Sequence, residues 1–218
     1  MWLLRIVMKL LLRFEITNTE NMPLSGPVVV IINHITWLDP ILALGGAPRI
    51  AIPMAKQEIF DWFFVGSILK LYGSIPVQRD GVDVNAFKSA LRVLEHSGAV
   101  LLAPEGTRSR NCQLQAGKDG AVMLALRSNA AIVPVGVTGT HLVETNWKKL
   151  KRAAVHLAVG EPFRLRSVSA NRRAQRNDIE AMTREMMYRL ARQLPGECRG
   201  VYANPETVTE RYLVPVEN

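Results

Sequence analysis

The sequence has 218 residues, 48% of them hydrophobic, which is enough to bury one sizeable α/β core, and no shift in composition indicates a second domain. A formal charge of +8 favours an anionic partner, which could be nucleic acid, an anionic membrane surface or a phosphorylated substrate. Two cysteines are too few for a disulfide scaffold, so a reducing compartment is expected, and the sequence has no metal-ligand pattern.

The first predicted element is an amphipathic helix over residues 1–14. Its basic residues Arg5, Lys9 and Arg13 recur every four positions and form one stripe on an otherwise apolar helix. The pattern is typical of a helix lying in a membrane interface, although a helix packed on its own domain is the alternative. The side chains expected to enter the acyl boundary are Trp2, Leu3, Ile6, Leu10 and Phe14. The segment is shorter than the about 20 apolar residues that span a bilayer, and it lacks a small-residue cleavage site.

A short apolar strand is predicted over Val28–Ile32, directly after Gly26-Pro27. All five of its residues are β-branched, which is typical of a strand buried on both faces of a parallel sheet. Ligand sites in such sheets lie beyond the carboxyl ends of the strands. His34 follows this strand by two residues and Asp39 lies five residues further on, so we place the candidate chemistry at this junction.

His34 and Asp39 can meet only if the chain bends between them. On one continuous α-helix, five steps of about 100° would separate the two side chains by roughly 140°. Pro40 favours a strand-to-helix turn instead, because proline suits the first turn of a helix, with Asp39 near its N-cap. A carboxylate on one ring nitrogen leaves the other nitrogen free to accept a proton. The alternative is a histidine and an N-cap aspartate that never meet.

The rest of the chain alternates between short apolar runs and helical patterns. Strands are predicted over Ile50–Met54, Ser74–Gln78, Ala99–Ala103 and Ala131–Val137, and helices over Glu58–Tyr72, Val84–His96, Ala121–Ser128 and Asp178–Leu194. Asp83 is the expected N-cap of the helix that begins at Val84. The alternation predicts an α/β fold in which helices flank a mostly parallel central sheet. We divide the chain into the N-terminal amphipathic helix with its linker (1–20), a main domain (21–194) and a C-terminal tail (195–218).

Two segments have patterns that fit more than one interpretation. The helix over Glu58–Tyr72 is apolar around most of its circumference, which fits either core packing or a wall for an acyl chain. The most basic region, Trp147–Arg176, fits either a solvated face or attraction to anionic lipid, and we favour lipid because the first helix is basic too. Its cations are Lys148, Lys149, Lys151, Arg152, Arg164, Arg166, Arg172, Arg173 and Arg176.

Four motifs occur in order along the chain. They are Asn33-His34 with Asp39, Gly73-Ser74-Ile75-Pro76-Val77-Gln78-Arg79, Pro104-Glu105-Gly106-Thr107-Arg108-Ser109 and Val133-Pro134-Val135. On these motifs, the stretch from about Asn21 to Phe163 resembles the glycerolipid acyltransferase family, whose type member is 1-acylglycerol-3-phosphate acyltransferase. Thr36 stands where that family usually has serine, and Ala103 where an aromatic residue is common.

The resemblance implies that His34 and Asp39 are a catalytic dyad in the family's His-x4-Asp motif. His34 would be the general base that removes a proton from the free hydroxyl of a lysophospholipid, and Asp39 would fix its tautomer. The acyl donor would be acyl-CoA or acyl carrier protein, with no cofactor and no metal. Lysophosphatidic acid is the first candidate acceptor, and another lysophospholipid or an aminolipid is the alternative. Such an enzyme is expected at the cytoplasmic face of a membrane.

The resemblance also implies a substrate-binding set. Arg79 and Arg108 would clamp the acceptor's phosphate, because guanidinium groups offer paired donors that match phosphate oxygens. Gly106 would let the backbone approach the ligand, and Thr107 would donate a hydroxyl. Glu105 repels phosphate, so we expect it to hold an arginine or a glycerol hydroxyl.

Three rival classes of function stay open on sequence alone. A nucleic-acid-binding module would explain the charge, but the sequence has no recognition-helix motif, zinc-ligand pattern or aromatic-basic RNA signature. A hydrolase of lipid thioesters or esters would use the same His34/Asp39 pair, with water as the nucleophile. A basic membrane-surface binding protein without catalysis is the third class.

Cys112, a few residues past the Arg108 turn, is the one nearby side chain that could replace the acceptor hydroxyl as nucleophile.

Overall fold

The computed structural model of the protein describes residues 2–78, 81, 83–166 and 175–216. Three cations of the sequence analysis, Arg79, Arg172 and Arg173, therefore lie outside the described residues. The strands of the described residues are β1 (Leu12–Thr17), β2 (Val28–Ile32), β3 (Ile52–Lys56), β4 (Ile75–Val77), β5 (Ala99–Leu102), β6 (Ala131–Thr138), β7 (Ala153–Val159), β8 (Phe163–Leu165) and β9 (Leu213–Pro215).

Seven α-helices alternate with these strands in the described part of the chain. They are α1 (Trp2–Leu11), α2 (Leu38–Gly46), α3 (Phe63–Leu71), α4 (Val84–Glu95), α5 (Gly120–Ser128), α6 (Val143–Lys148) and α7 (Arg176–Ala191). Shorter 3₁₀ helices are Thr19–Asn21, Gln57–Asp61, Thr140–Leu142, Gly196–Cys198, Gly200–Tyr202 and Pro205–Thr207. None of the described helices combines the length and the hydropathy that are needed to cross a membrane.

The strands form one mixed sheet with the order β1-β7-β6-β2-β5-β3-β4, and β8 pairs with β6 and β9. Strands β2 to β6 are mutually parallel in every pairing between them, and β1 is parallel to β7. The antiparallel pairs are β6 with β7, β6 with β8 and β8 with β9. The predicted α/β fold, with helices flanking a mostly parallel sheet, is confirmed. Its parallel strands deliver their carboxyl ends to one edge of the sheet, where ligand sites form.

Strand β2 lies in the middle of the sheet and is buried on both faces, as its composition predicts. Val29 and Ile31 pack into an apolar cluster that includes residues of α4, α5 and α7. Val28, Val30 and Ile32 pack into a second cluster, with residues of α1 and α2. The alternation follows from the strand period of two residues. Two cores thus hold β2 rigidly, and with it the start of the loop that carries His34.

The predicted helix over residues 1–14 is wrong at its end, over residues 12–14, because α1 ends at Leu11 and the chain continues as β1. Phe14 and Ile16 are partly buried, whereas Arg13 and Glu15, which alternate with them, are exposed, which is the two-residue period of a strand. Arg13 is therefore not part of a helical stripe with Lys9. The segment assigned to an N-terminal helix and linker contributes a strand to the sheet.

The predicted helix over Glu58–Tyr72 is divided in the structure. A 3₁₀ helix spans Gln57–Asp61, Trp62 is extended, and α3 begins at Phe63. Most large side chains of α3 point outward, with Phe63 83% and Leu71 91% exposed. Core packing, one of the two interpretations of this segment, is thus wrong for most of α3.

The C-terminal residues beyond Leu194 also pack on the sheet and on α7. Strand β9 pairs with β8, and the buried Glu185 carboxylate of α7 accepts hydrogen bonds from the backbone amides of Arg211 and Tyr212. Glu210 forms ion pairs with Arg189 of α7 and with Arg192, the C-cap of that helix. The segment that we assigned to a tail is therefore fastened to the domain by buried backbone hydrogen bonds and two ion pairs.

Candidate active site

The site begins at the carboxyl end of β2, where the chain bends into α2. His34 Nδ1 lies 3.1 Å from Asp39 Oδ2, with the imidazole 14% exposed and the carboxylate fully buried. The bend that the spacing requires is therefore present. Because an ionised carboxylate only accepts hydrogen bonds, this contact places the proton on Nδ1 and leaves Nε2 with its lone pair. A histidine held in this way can take a proton from a substrate hydroxyl.

Asp39 binds the loop as well as the imidazole. Its Oδ2 atom accepts hydrogen bonds from the backbone amides of Ile35 at 2.5 Å and Thr36 at 2.6 Å, and its Oδ1 accepts one from the Thr36 hydroxyl at 3.2 Å. Helix α2 starts at Leu38, so Pro40 lies in its first turn as predicted, and Asp39, which was expected near the N-cap, lies two residues after the N-cap Trp37. The carboxylate reaches back from the first turn to amides of the loop that precedes the helix, and so holds that loop.

Asn33 fastens the base of the same loop to the neighbouring strand. Its side-chain nitrogen donates to the Val137 carbonyl at 2.8 Å, and its oxygen accepts from the Val137 amide at 2.7 Å. Val137 lies on β6, so the buried side chain continues the β2–β6 ladder beyond the last strand residue. The sequence analysis assigned Asn33 no role. The feature of the sequence that could have indicated this role is an amide side chain immediately after a buried strand.

The turn that follows β5 closes over the backbone of His34. Glu105 Oε1 accepts from the His34 amide at 2.8 Å, and Oε2 accepts from the Gln115 amide at 2.9 Å. The Ser109 amide in turn donates to the His34 carbonyl at 2.7 Å. In the part of the chain that the structure describes, the Glu105 carboxylate is hydrogen-bonded to the backbone amides of His34 and Gln115. It thereby positions His34, and the expectation that it holds an arginine or a glycerol hydroxyl stays a prediction.

Glu105 is a buried charge, with only 3% of the residue exposed. Burial raises the pKa of its carboxyl above the ordinary value, and the amides of Gln115 and His34 partly oppose that rise by hydrogen bonding to the charged form. The fold thus buries a carboxylate to hold two segments together, and the free energy that this costs is offset by charge-assisted hydrogen bonds.

The other predicted substrate-binding residues lie around this turn. Gly106 has a φ of +67°, a conformation that favours glycine, and Thr107 and Arg108 have exposed side chains. Strand β4 ends at Val77 and is parallel to β3, so its carboxyl end lies at the edge of the sheet where His34 lies. Arg79 itself is outside the described residues.

Cys112 lies close to this site but is unsuited to nucleophilic attack. Burial and the nearby negative charge of Asp39 raise the pKa of the Cys112 thiol, so the reactive thiolate is disfavoured. Both Cys112 and Cys198 are free thiols. In the described ranges, no three His, Cys, Asp or Glu side chains are grouped as metal ligands would be.

Comparison with known proteins identifies the family to which this arrangement belongs. Residues 13–138, more than half of the chain, match the family model described as Acyltransferase. The chain belongs to the acyltransferase family. The predicted resemblance is therefore confirmed, and the matched residues include His34, Asp39 and the turn around Glu105.

This acyltransferase is similar to proteins named for one reaction. It is 32% identical over 162 residues to the 1-acyl-sn-glycerol-3-phosphate acyltransferase of Bacillus subtilis, covering 73% of this chain and 78% of that one. It is 35% identical over 124 residues to the protein of that name from Limnanthes douglasii, covering 56% of this chain and 43% of the relative. The chain thus spans less than half the length of this plant relative.

A solved structure shows the same fold. The crystal structure of PlsC, the 1-acyl-sn-glycerophosphate acyltransferase from Thermotoga maritima, matches with a TM-score of 0.63. The match covers 84% of this acyltransferase and 72% of that chain, at 21% sequence identity. The architecture of the sheet and its flanking helices is therefore that of a known acyltransferase structure.

Proposed function

We propose that this acyltransferase moves a fatty acyl group from a thioester donor to the free hydroxyl of lysophosphatidic acid, giving phosphatidic acid, with His34 as general base. The observation that carries the proposal is the 3.1 Å contact between His34 Nδ1 and the buried Asp39 carboxylate. The names of the Bacillus and Limnanthes relatives support the choice of acceptor.

In the proposed reaction His34 Nε2 takes the proton of the acceptor hydroxyl as its oxygen attacks the thioester carbonyl. Asp39 stabilises the positive charge that the imidazole acquires. Collapse of the tetrahedral intermediate breaks the carbon–sulfur bond, and the imidazolium returns the proton to the leaving thiolate. The acceptor supplies the nucleophile, so no acyl-enzyme forms, in keeping with the disfavoured thiolate of Cys112.

The acceptor's phosphate is proposed to bind beside the turn after β5. Arg108 is exposed on that turn, and Arg79 is expected to complete a clamp from the segment that follows β4. Acyl-CoA and acyl carrier protein are both proposed as donors, and the reaction needs no cofactor or metal. A different lysophospholipid or an aminolipid as acceptor is the alternative within the same chemistry.

The enzyme is proposed to act as a peripheral protein at the cytoplasmic face of a membrane. Large apolar side chains are exposed on three helices, which suits contact with lipid. They are Leu10 and Leu11 of α1, Trp37 and Ile41 at α2, and Trp62, Phe63, Val65, Ile68 and Leu71 at α3. The formal charge of +8 complements an anionic bilayer.

A product assay tests the proposal. The purified protein is incubated with acyl-CoA or acyl carrier protein donors and a panel of lysophosphatidic acid, other lysophospholipids, an aminolipid and monoacylglycerol, and the products are identified by mass spectrometry. Phosphatidic acid as the dominant product supports the proposal. Preference for another acceptor supports the alternative. Release of free fatty acid at the same rate with and without acceptor would indicate a hydrolase.

A further inference from the structure

A lysine that the sequence analysis did not assign to the site lies across the Glu105 turn. A Cβ atom built on Gly106 would be 2.9 Å from Lys118 Nζ, 3.0 Å from its Cε and 3.1 Å from its Cδ. The end of the Lys118 side chain therefore occupies the space that any larger residue at 106 would fill. Glycine at this position leaves room for the ammonium group directly on the turn.

The backbone that carries Lys118 is held in place from three sides. The Lys118 amide donates to the Pro104 carbonyl at 2.8 Å, which ties it to the same turn. The Tyr202 hydroxyl accepts from the Gly117 amide at 3.2 Å, and Asp119 Oδ1 accepts from the Thr183 hydroxyl at 2.7 Å. The lysine thus extends from a segment anchored to α7 and to the C-terminal residues.

Within the part of the chain that the structure describes, the ammonium group of Lys118 belongs to none of the ion pairs. Glu105, the carboxylate of the same turn, is buried with both oxygens on backbone amides. A positive charge that lies over a glycine, outside these ion pairs, is suited to an anion from outside the protein.

We propose that Lys118 binds the phosphate of the acceptor and so helps the enzyme to select a phosphate monoester. The inference rests on the proposed function and adds a cation to the turn that carries Arg108. The turn that Lys118 covers is bonded to both backbone groups of His34, through Glu105 and Ser109. In lysophosphatidic acid the reacting hydroxyl and the phosphate are on neighbouring carbons or separated by one. A cation on this turn is therefore well placed for the phosphate while the hydroxyl faces His34.

The test compares Lys118→Met and Lys118→Arg with the parent enzyme on two acceptors. Methionine keeps an unbranched stem over Gly106 and removes the charge, so the fold is expected to persist, which thermal unfolding checks. With lysophosphatidic acid, Lys118→Met is expected to raise KM about tenfold or more with a smaller change in kcat, because a charge-assisted hydrogen bond is lost. Lys118→Arg is expected to restore most of the affinity. The KM for monoacylglycerol, which has no phosphate, is expected not to change.

Lys88→Met is the matched control, since it removes the charge of a lysine on α4. A second readout is the Kd of sn-glycerol 3-phosphate by calorimetry, expected to weaken in Lys118→Met and not in Lys88→Met. Unchanged KM and Kd in Lys118→Met, or equal losses on both acceptors, would overturn the role of Lys118. If the parent enzyme uses monoacylglycerol as efficiently as lysophosphatidic acid, the proposed acceptor fails instead.

Discussion

Asp39 is the residue on which the geometry of the site depends most. One buried carboxylate takes hydrogen bonds from the His34 imidazole, from two backbone amides and from the Thr36 hydroxyl. The shape of the loop and the orientation of the imidazole are thereby fixed together. A proton acceptor that is already oriented needs no rearrangement when the substrate arrives, which is how positioned groups accelerate a reaction.

Removal of the imidazole is expected to abolish most of the activity without unfolding the protein. His34→Ala should lower kcat by roughly 10² to 10⁴, the usual contribution of general-base catalysis. His96→Ala is the control, because His96 is exposed at the end of α4 and its ring bonds to its own helix. Steady-state kinetics with circular dichroism checks the result. A His34→Ala variant with nearly full activity would remove the general-base assignment.

Glu105 gives a prediction about pH. Because burial raises its pKa above the unfolded value, the native state binds the proton more tightly, and the free energy of unfolding should fall as pH rises through the raised pKa. Glu105→Gln should remove that part of the pH dependence. It should also cost about 1 to 3 kcal/mol, because the new NH₂ group faces a backbone amide. Urea unfolding between about pH 4 and 8 measures both effects.

The control for this experiment is Glu95→Gln, an exposed glutamate at the end of α4 that should leave the pH dependence unchanged. Activity provides a second measurement, since Glu105 accepts from the His34 amide and its loss should lower kcat. Equal pH dependence in the parent and Glu105→Gln proteins would contradict the burial argument.

The sequence predicts which residues form the site better than it predicts their contacts. His34 and Asp39 are five residues apart, so local geometry decides whether they meet. Glu105 lies 71 residues from His34, and its partner is a backbone amide, which has no signature in the sequence. Lys118 likewise comes close to this turn only in the folded chain, so nothing in the sequence except its charge indicated a role.

Among the elements, α4 shows a cap that follows the sequence prediction. Asp83 Oδ1 accepts from the Ala86 amide at 2.9 Å, and Oδ2 accepts from the Gln78 amide at 2.8 Å. The second hydrogen bond joins Asp83 to Gln78, the residue that follows β4. A single carboxylate therefore caps the helix and ties its start to the end of β4.

The cap predicts a loss of stability that depends on pH. The amides of Ala86 and Gln78 hold the pKa of Asp83 below its usual range, so its stabilisation is present above the unfolded pKa of about 3.9 and is lost as pH falls through the lowered value. Asp83→Ala should lower the free energy of unfolding by about 1 kcal/mol near pH 7. Asp83→Asn can still cap the helix, so its free energy of unfolding should fall by less. Chemical denaturation at neutral pH and in acid measures the difference, and a deficit that does not shrink in acid would contradict the ionic cap.

The elements that the sequence predicts correctly are those whose pattern is local. Strand β2 and helix α4 carry their own signals in continuous β-branched residues and in a cap. Strands β1 and β7 were not predicted, because their alternating patterns depend on which face the sheet buries. The four-residue spacing of Lys9, which is in α1, and Arg13, which is in β1, also imitates a helix. The pairing of β1 with β7 joins residues that are far apart in the sequence, such as Leu12 and Ala153, which no local pattern specifies.

At the scale of the whole molecule, one part of the fold positions His34 and another exposes apolar surface. Its central strands and their two buried clusters hold the loop of His34, while large apolar side chains remain exposed on α2 and α3. Trp37 is exposed next to the loop that Asp39 organises, so apolar surface extends to the rim of the site. A lipid substrate needs both features, since its headgroup must reach the proposed base His34 while its acyl chain stays out of water.

The exposed face of α3 gives the last prediction. Ile68 and Leu71 are 65% and 91% exposed and lie three residues apart, on neighbouring positions of one helix face. If α3 enters the bilayer, Ile68→Ser combined with Leu71→Ser should weaken partitioning to vesicles at least about tenfold, because each side chain loses its apolar transfer free energy. Val201→Ser, which removes an exposed apolar side chain from the 3₁₀ helix beside α7, should have little effect.

Sedimentation with vesicles of phosphatidylcholine, with and without phosphatidylglycerol, measures the partitioning. Raising the salt concentration should weaken binding to the anionic vesicles, because it screens the attraction of a chain with a formal charge of +8. The loss caused by the α3 substitutions should persist at high salt, since apolar transfer is not screened. Equal partitioning of the parent and the α3 variant would show that another surface contacts the membrane, and the exposed side chains of α1 would be tested next by the same assay.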